Sequence, residues 1–117
     1  MFDYDRFQLG VSSLSATAAP MNQNNGTGTL TVATNYRMRV SALNFTNTAT
    51  VSAVVTLQKQ SGTLSPIVVF EQSLAANSTV TLGEDQDIVI DSGYFLAALV
   101  SSGGSGAVFG SGEFILE

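Results

Sequence analysis

The sequence predicts an all-β domain: an antiparallel β-sandwich, jelly-roll-like, built from about eight or nine short strands. Short β-branched runs alternate apolar and polar residues and are closed by turn residues at spacings of roughly eight to twelve positions. No segment shows apolar residues at the helical repeat with capping residues at its ends, and Lys, Arg and Glu are too sparse for an exposed helical face. A length of 117 residues fits one domain.

The composition excludes several classes of function. The chain has no Cys and no His, which removes disulfides, thiolate or imidazole metal sites, and Ser-His-Asp or Cys-His catalysis. Four Lys and Arg residues against nine Asp and Glu residues are too few to neutralise phosphates, so no nucleic-acid partner is expected. No apolar stretch approaches the roughly 20 residues of a membrane helix, so no membrane partner is expected either.

The strand that begins at Tyr36 carries the most informative pattern. Met38, Val40 and Ala42 share one face, and Arg37, Arg39 and Ser41 share the other. The apolar phase then changes to Leu43 and Phe45. A change of phase by one residue inside a strand is the effect of a β-bulge, which we therefore expect near residues 41–43.

The other strands follow the same alternation. In the strand over 66–74 we expect Val68, Phe70 and Leu74 to point inward. The run over 94–100 is apolar on both faces, which indicates a central strand covered on both sides. Further strands are predicted over 29–32, 36–46, 51–58, 80–82, 88–90 and 108–116.

The first 25 residues differ from the remainder, so we divide the chain into residues 1–25 and a sandwich domain over 26–117. Phe2, Tyr4 and Phe7 place three aromatic side chains close together, and 16–25 has the composition of a linker. The segment is either the first strand of the domain followed by a linker, or an arm that docks on another subunit. Aromatic side chains suit an arm because they bury a large area at low entropic cost.

Arg37 and Arg39 lie on the same face of one strand and repel each other. They meet either carboxylates of their own domain, the simpler interpretation, or a neighbouring subunit, since arginine is enriched at interfaces. The candidate contacts with a capsid or a second subunit are Phe2, Tyr4, Arg6, Phe7, Arg37 and Arg39.

Four carboxylates, Glu84, Asp85, Asp87 and Asp91, fall close together. Clustered carboxylates can hold Ca²⁺, but the spacing does not match an EF-hand loop, and a solvated turn is the favoured interpretation. No pair of acids is singled out for hydrolysis, so we predict no enzyme, no catalytic residue, no metal and no cofactor.

The order of strands and corners resembles small all-β virion proteins of tailed bacteriophages. The resemblance covers about residues 27–117 and is carried by the stretches TLTVATNYRMRVSALNFTNT (29–48), VSAVVTL (51–57), QSLAANSTVTL (72–82) and DIVID (87–91). It implies a capsid decoration (cement) protein or a head-fibre module on the outer capsid surface. Its partners would be the major capsid protein and further copies of itself, as dimers or trimers.

The alternative is a receptor- or glycan-binding module of a phage fibre or tail. Such a site needs exposed aromatic side chains beside polar groups. Tyr36, Tyr94 and Phe109 are the candidates in the body of the domain, and we expect each of them in the core.

Overall fold

The computed structural model describes residues 6–23, 31–62, 65–82 and 88–116. These residues form ten strands and no helix, and so contain no helix that could cross a membrane. The strands are β1 (Arg6–Val11), β2 (Ala19–Pro20), β3 (Asn22–Gln23), β4 (Tyr36–Asn47), β5 (Ala53–Gln60), β6 (Ile67–Leu74), β7 (Ser78–Leu82), β8 (Ile88–Ile90), β9 (Phe95–Val100) and β10 (Gly106–Leu116).

The strands form two antiparallel sheets, which confirms the all-β prediction. Sheet A has the order β3-β1-β10-β4-β7, with β8 also paired to β4, and sheet B has the order β2-β9-β5-β6. We predicted eight or nine short strands, and the described residues form ten. Their lengths vary: β4 and β10 have 12 and 11 residues, whereas β2 and β3 have two residues each.

One core lies between the two sheets. The inward residues of β4 include Met38 and Phe45, which are fully buried, and Leu57 of β5 faces them from sheet B. The rings of Phe45 and Phe70 stack across the core, with centroids 5.9 Å apart and planes 10° apart. Apolar burial on one face of each sheet is therefore what holds the sheets together.

The predicted bulge in β4 is confirmed. Ser111 of β10 opposes Ala42, whereas the next residue, Gly112, opposes Val40, so Ser41 has no partner in the register. The bulge keeps Val40 and Leu43 both in the core although they are three positions apart. A strict alternation would have sent one of them to the outer face.

A second bulge, in β6, was not predicted and makes one expectation wrong. Leu57 opposes Phe70, but Gln58 opposes Val68, so Val69 is the extra residue. The change of phase turns Val68 away from the core and leaves it 53% exposed. The apolar pattern alone could not reveal this bulge, because Val68, Val69 and Phe70 are all apolar.

The N-terminal region takes part in both sheets. β1 lies between β3 and β10 within sheet A. Met21, inside the stretch with linker composition, is 1% exposed and belongs to the core. Of the strand predicted over 29–32, Thr31 forms an isolated bridge to Phe95 and Val32 is buried, while 29 and 30 lie outside the described residues.

The buried side chain of Asn47 joins two crossings between the sheets. Its Nδ2 donates to the carbonyl oxygens of Val51 at 2.9 Å and Ala75 at 3.1 Å, and its Oδ1 accepts from the backbone N–H of Ala49 at 3.0 Å. Val51 lies in the crossing from β4 to β5, and Ala75 lies in the crossing from β6 to β7. One buried amide thus bonds three backbone groups that belong to two separate connections.

The crossing from β9 to β10 packs against the same place. The backbone N–H of Thr48 donates to the carbonyl of Ser105 at 2.9 Å. Gly106 has φ 147°, and a Cβ there would collide with the carbonyl of Thr46. Only glycine fits this position. We call this part of the molecule, formed by the crossings at 48–52, 75–77 and 101–105, the clamp end.

Replacement of Asn47 by alanine tests the clamp. Asn47→Ala removes three hydrogen bonds of a buried side chain, although the Ala75 carbonyl keeps a bond from Ser78 Oγ at 2.6 Å. We expect the free energy of unfolding to fall by about 2–4 kcal/mol in urea denaturation. The matched control is Asn44→Ala, which removes the same side chain from an exposed position of the same strand, with an expected change within about 0.5 kcal/mol. Equal losses for the two variants would contradict the assignment.

Candidate interaction surface

The end of the sandwich opposite the clamp carries the two arginines predicted as contacts. Arg37 and Arg39 alternate with the inward Met38, so their side chains stand on the outer face of sheet A. Ile115 opposes Arg37 and Glu113 opposes Arg39. We call this region, formed by the first residues of β4 and β6 and the last residues of β10, the arginine end.

Two of the four basic residues of the chain, Arg37 and Arg39, stand on this sheet face. Arg6 of β1 opposes Glu113 in register, so Glu113 has an arginine position on each neighbouring strand. Arg37 and Arg39 also interact with other groups of the chain. Opposite charges on adjacent strands fit the simpler of the two interpretations of the arginine pair, and contact with a partner subunit stays a prediction.

The aromatic candidates of the N-terminus are covered only in part. Phe2 and Tyr4 lie outside the described residues. For Phe7 the structure gives the backbone, which opposes Gly112 in the register of β1 with β10. Arg6 and Phe7 therefore enter sheet A at the arginine end, close to the register positions of Arg39.

Exposed apolar side chains gather at the arginine end. Six large hydrophobic residues of the described chain are exposed, and four of them lie here: Ile67, Val68, Ile115 and Leu116. Lys59 of sheet B opposes Ile67 and forms an ion pair with Asp91, the residue after β8 of sheet A. This ion pair shows that the start of β6 lies at the same end of the sandwich as the start of β4. Apolar side chains beside arginines are the composition found in protein interfaces.

The outer edge of β6 is open. Within the described residues β6 pairs only with β5, so the backbone groups along its other side have no strand opposite them. Ile67 and Val68 are exposed at the start of this edge. An unpaired strand edge is a template for pairing with another chain.

A groove of about 350 Å³ lies in the outer face of sheet A, nearer to the clamp end. It is lined by Gln8, Leu9, Ala42, Leu43, Asn44, Thr81, Phe109, Gly110 and Ser111. The expectation that Phe109 lies in the core is wrong, because it opposes Asn44 on the outer face and is 50% exposed. Tyr36 and Tyr94 are partly buried against the core.

The acidic cluster is only partly described. Glu84, Asp85 and Asp87 lie outside the described residues, and Asp91 forms an ion pair with Lys59 at 3.3 Å. Among the described residues no group of three or more His, Cys, Asp or Glu side chains could hold a metal ion. The calcium hypothesis therefore stays without support from these residues.

Comparison with known proteins gives a fold relation and no family. No family model matches the chain, and no curated protein matches it. A solved structure from work describing Bacillus endospore appendages as a novel family of disulfide-linked pili is similar, with 13% sequence identity and a TM-score of 0.51. The match covers 98% of this chain and 88% of that one. At this identity the likeness shows a shared fold.

Lys59 has a structural role, which can be tested. Its Nζ lies 3.3 Å from Asp91 and 4.9 Å from the centre of the Tyr94 ring. We expect Lys59→Gln to lower the free energy of unfolding by about 0.5–1 kcal/mol, because a partly exposed ion pair and a cation–π contact are each weak. Urea denaturation measures the change, and a loss above about 3 kcal/mol would contradict this assignment.

Proposed function

We propose that this protein is a structural subunit that decorates or cements the outer surface of a bacteriophage capsid. Its partners are the major capsid protein and further copies of itself, and it acts through contacts rather than by chemistry. The observation that carries the proposal is the arginine end, where Ile115 opposes Arg37 and further exposed apolar side chains lie at the same end of the sandwich.

The composition of that end supports a protein partner. Interfaces are enriched in arginine and apolar residues, and depleted in lysine and glutamate. Ile67 and Val68 come from sheet B, while Ile115 and Leu116 come from sheet A, so both layers have exposed apolar side chains at this end of the sandwich. A subunit present in many copies on a shell needs only modest affinity at each contact, because assembly adds avidity.

We also propose that the two sheets form a jelly roll. Each sheet interleaves early and late strands, with the orders β1-β10-β4-β7 and β2-β9-β5-β6. The chain crosses between sheets after β1, β2, β4, β6, β8 and β9. Such interleaving fits a double-sheet jelly roll, an architecture used by viral capsid and lectin domains.

The likeness to the pilus structure supports one part of the proposal, namely that a β-sandwich is repeated in an assembly. That pilus is described as disulfide-linked, whereas this chain has no Cys. Contacts between copies of this chain would therefore be non-covalent. The open edge of β6 is the part of sheet B from which they would be made.

Capsid binding tests the arginine end. We expect the double variant Arg37→Gln/Arg39→Gln to bind undecorated capsids at least about tenfold more weakly in co-sedimentation, because charged interface residues often contribute strongly to binding. The control is Val51→Gln, an exposed position at the clamp end, which should leave capsid affinity unchanged. Capsid affinity equal to that of the unchanged protein would refute the arginine contact.

Self-association tests the edge of β6. We expect Val68→Lys to reduce dimer or trimer formation in sedimentation velocity, because a lysine beside an open edge opposes pairing with another strand. The matched control is Val51→Lys at the clamp end, where the valine is 50% exposed against 53% for Val68. Equal behaviour of the two variants would contradict a contact at this edge.

A further inference from the structure

The groove in the outer face of sheet A lies outside the arginine end, which is the proposed capsid contact. It crosses four strands, since Gly10, Phe109, Asn44 and Thr81 form one row in register across β1, β10, β4 and β7. The next row contains Gln8, Ser111 and Ala42. Ser111 and Ala42 of this second row have small side chains and line the groove, which measures about 350 Å³.

Phe109 forms an aromatic wall of this groove. Its ring lies directly over Gly10, where a Cβ would collide with two of the ring atoms. The absence of a side chain at Gly10 lets this side of the ring pack against β1, and Phe109 remains 50% exposed. Packing against the strand restricts the ring, which gives a preorganised apolar platform.

The polar groups around the platform are neutral. The amides of Gln8 and Asn44 and the hydroxyls of Thr81 and Ser111 line the groove, and none of its lining residues is ionisable. Asn44 Nδ2 donates to Thr81 Oγ1 at 3.3 Å, which orients the amide. Its Oδ1 and second N–H then provide an acceptor and a donor for one ligand hydroxyl pair.

We propose that this groove binds a neutral oligosaccharide. A sugar ring presents C–H groups on one face, which pack on an aromatic side chain, and hydroxyls at its edge, which pair with amides. An anionic ligand is not favoured, because the lining carries no cation. The volume is at the lower limit of ligand pockets, which fits one or two sugar units.

The site is separate from the arginine end. Asn44 opposes Phe109 and Arg39 opposes Glu113, and these β10 residues are four positions apart, which corresponds to about 13 Å along the strand. Capsid contact at one end of the face therefore leaves the groove accessible. The inference goes beyond structural decoration, because a decorated particle would display one sugar site on each subunit.

The test uses an array of neutral glycans, followed by ¹⁵N NMR titration with the strongest binder. We expect saturable shifts confined to the groove, including the side-chain amides of Gln8 and Asn44. Asn44→Ala should weaken binding at least about tenfold. The matched control is Thr46→Ala. Thr46 is the next outward-facing residue of β4 after Asn44, and it shares a 3.3 Å hydrogen bond with Thr79 outside the groove lining.

A second pair of variants separates the ring from the fold. Phe109→Tyr keeps an aromatic face over Gly10 and should retain binding within about threefold, whereas Phe109→Leu should lose it while the variant stays folded by circular dichroism. Three results would overturn the proposal: no neutral glycan binding, shifts outside the groove, or equal affinity of Asn44→Ala and Thr46→Ala. Capsid binding lost on Asn44→Ala without glycan binding would assign the groove to a protein contact instead.

Discussion

The fold depends on the one buried amide of Asn47. The connections from β4 to β5 and from β6 to β7 cross between the sheets in opposite directions, and this side chain holds both through three hydrogen bonds. Separation of the sheets at this end would break all three hydrogen bonds together, each worth about 1 kcal/mol net, in addition to the loss of apolar packing. The crossing from β9 to β10, with Gly106 against Thr46, closes the same end. The clamp end therefore stabilises the fold, and the opposite end is available for contact with a partner protein.

Two bulges decide what the outer faces present. The bulge at Ser41 allows Ala42 and Asn44 to face outward beyond Arg39, which places a neutral groove and a charged row on the same sheet. The bulge at Val69 turns Val68 out of the core beside an open strand edge. Each extra residue weakens pairing locally and re-aims side chains in exchange. The same two irregularities thus separate a surface suited to protein contact from one suited to a small neutral ligand.

Local patterns predicted what depends on local sequence. The all-β fold and the bulge near residue 41 follow from alternation alone, because Met38, Val40, Leu43 and Phe45 show the change of phase directly. The groove could not be predicted, since it needs Phe109 beside Asn44 and Gly10, a register that joins distant parts of the chain. The role of Asn47 could not be predicted for the same reason, because one of its carbonyl partners, Ala75, is 28 positions away.

The central claim is that this sandwich works by seating its arginine end on a larger shell. Cryo-electron microscopy of undecorated capsids mixed with the purified protein tests it most directly, because the map shows both occupancy and orientation. The account predicts added density at fixed positions of the shell, with Arg37, Arg39 and Ile115 toward the capsid and the clamp end outward. A shell without added density at saturating protein, or one in which the clamp end meets the capsid, would contradict it.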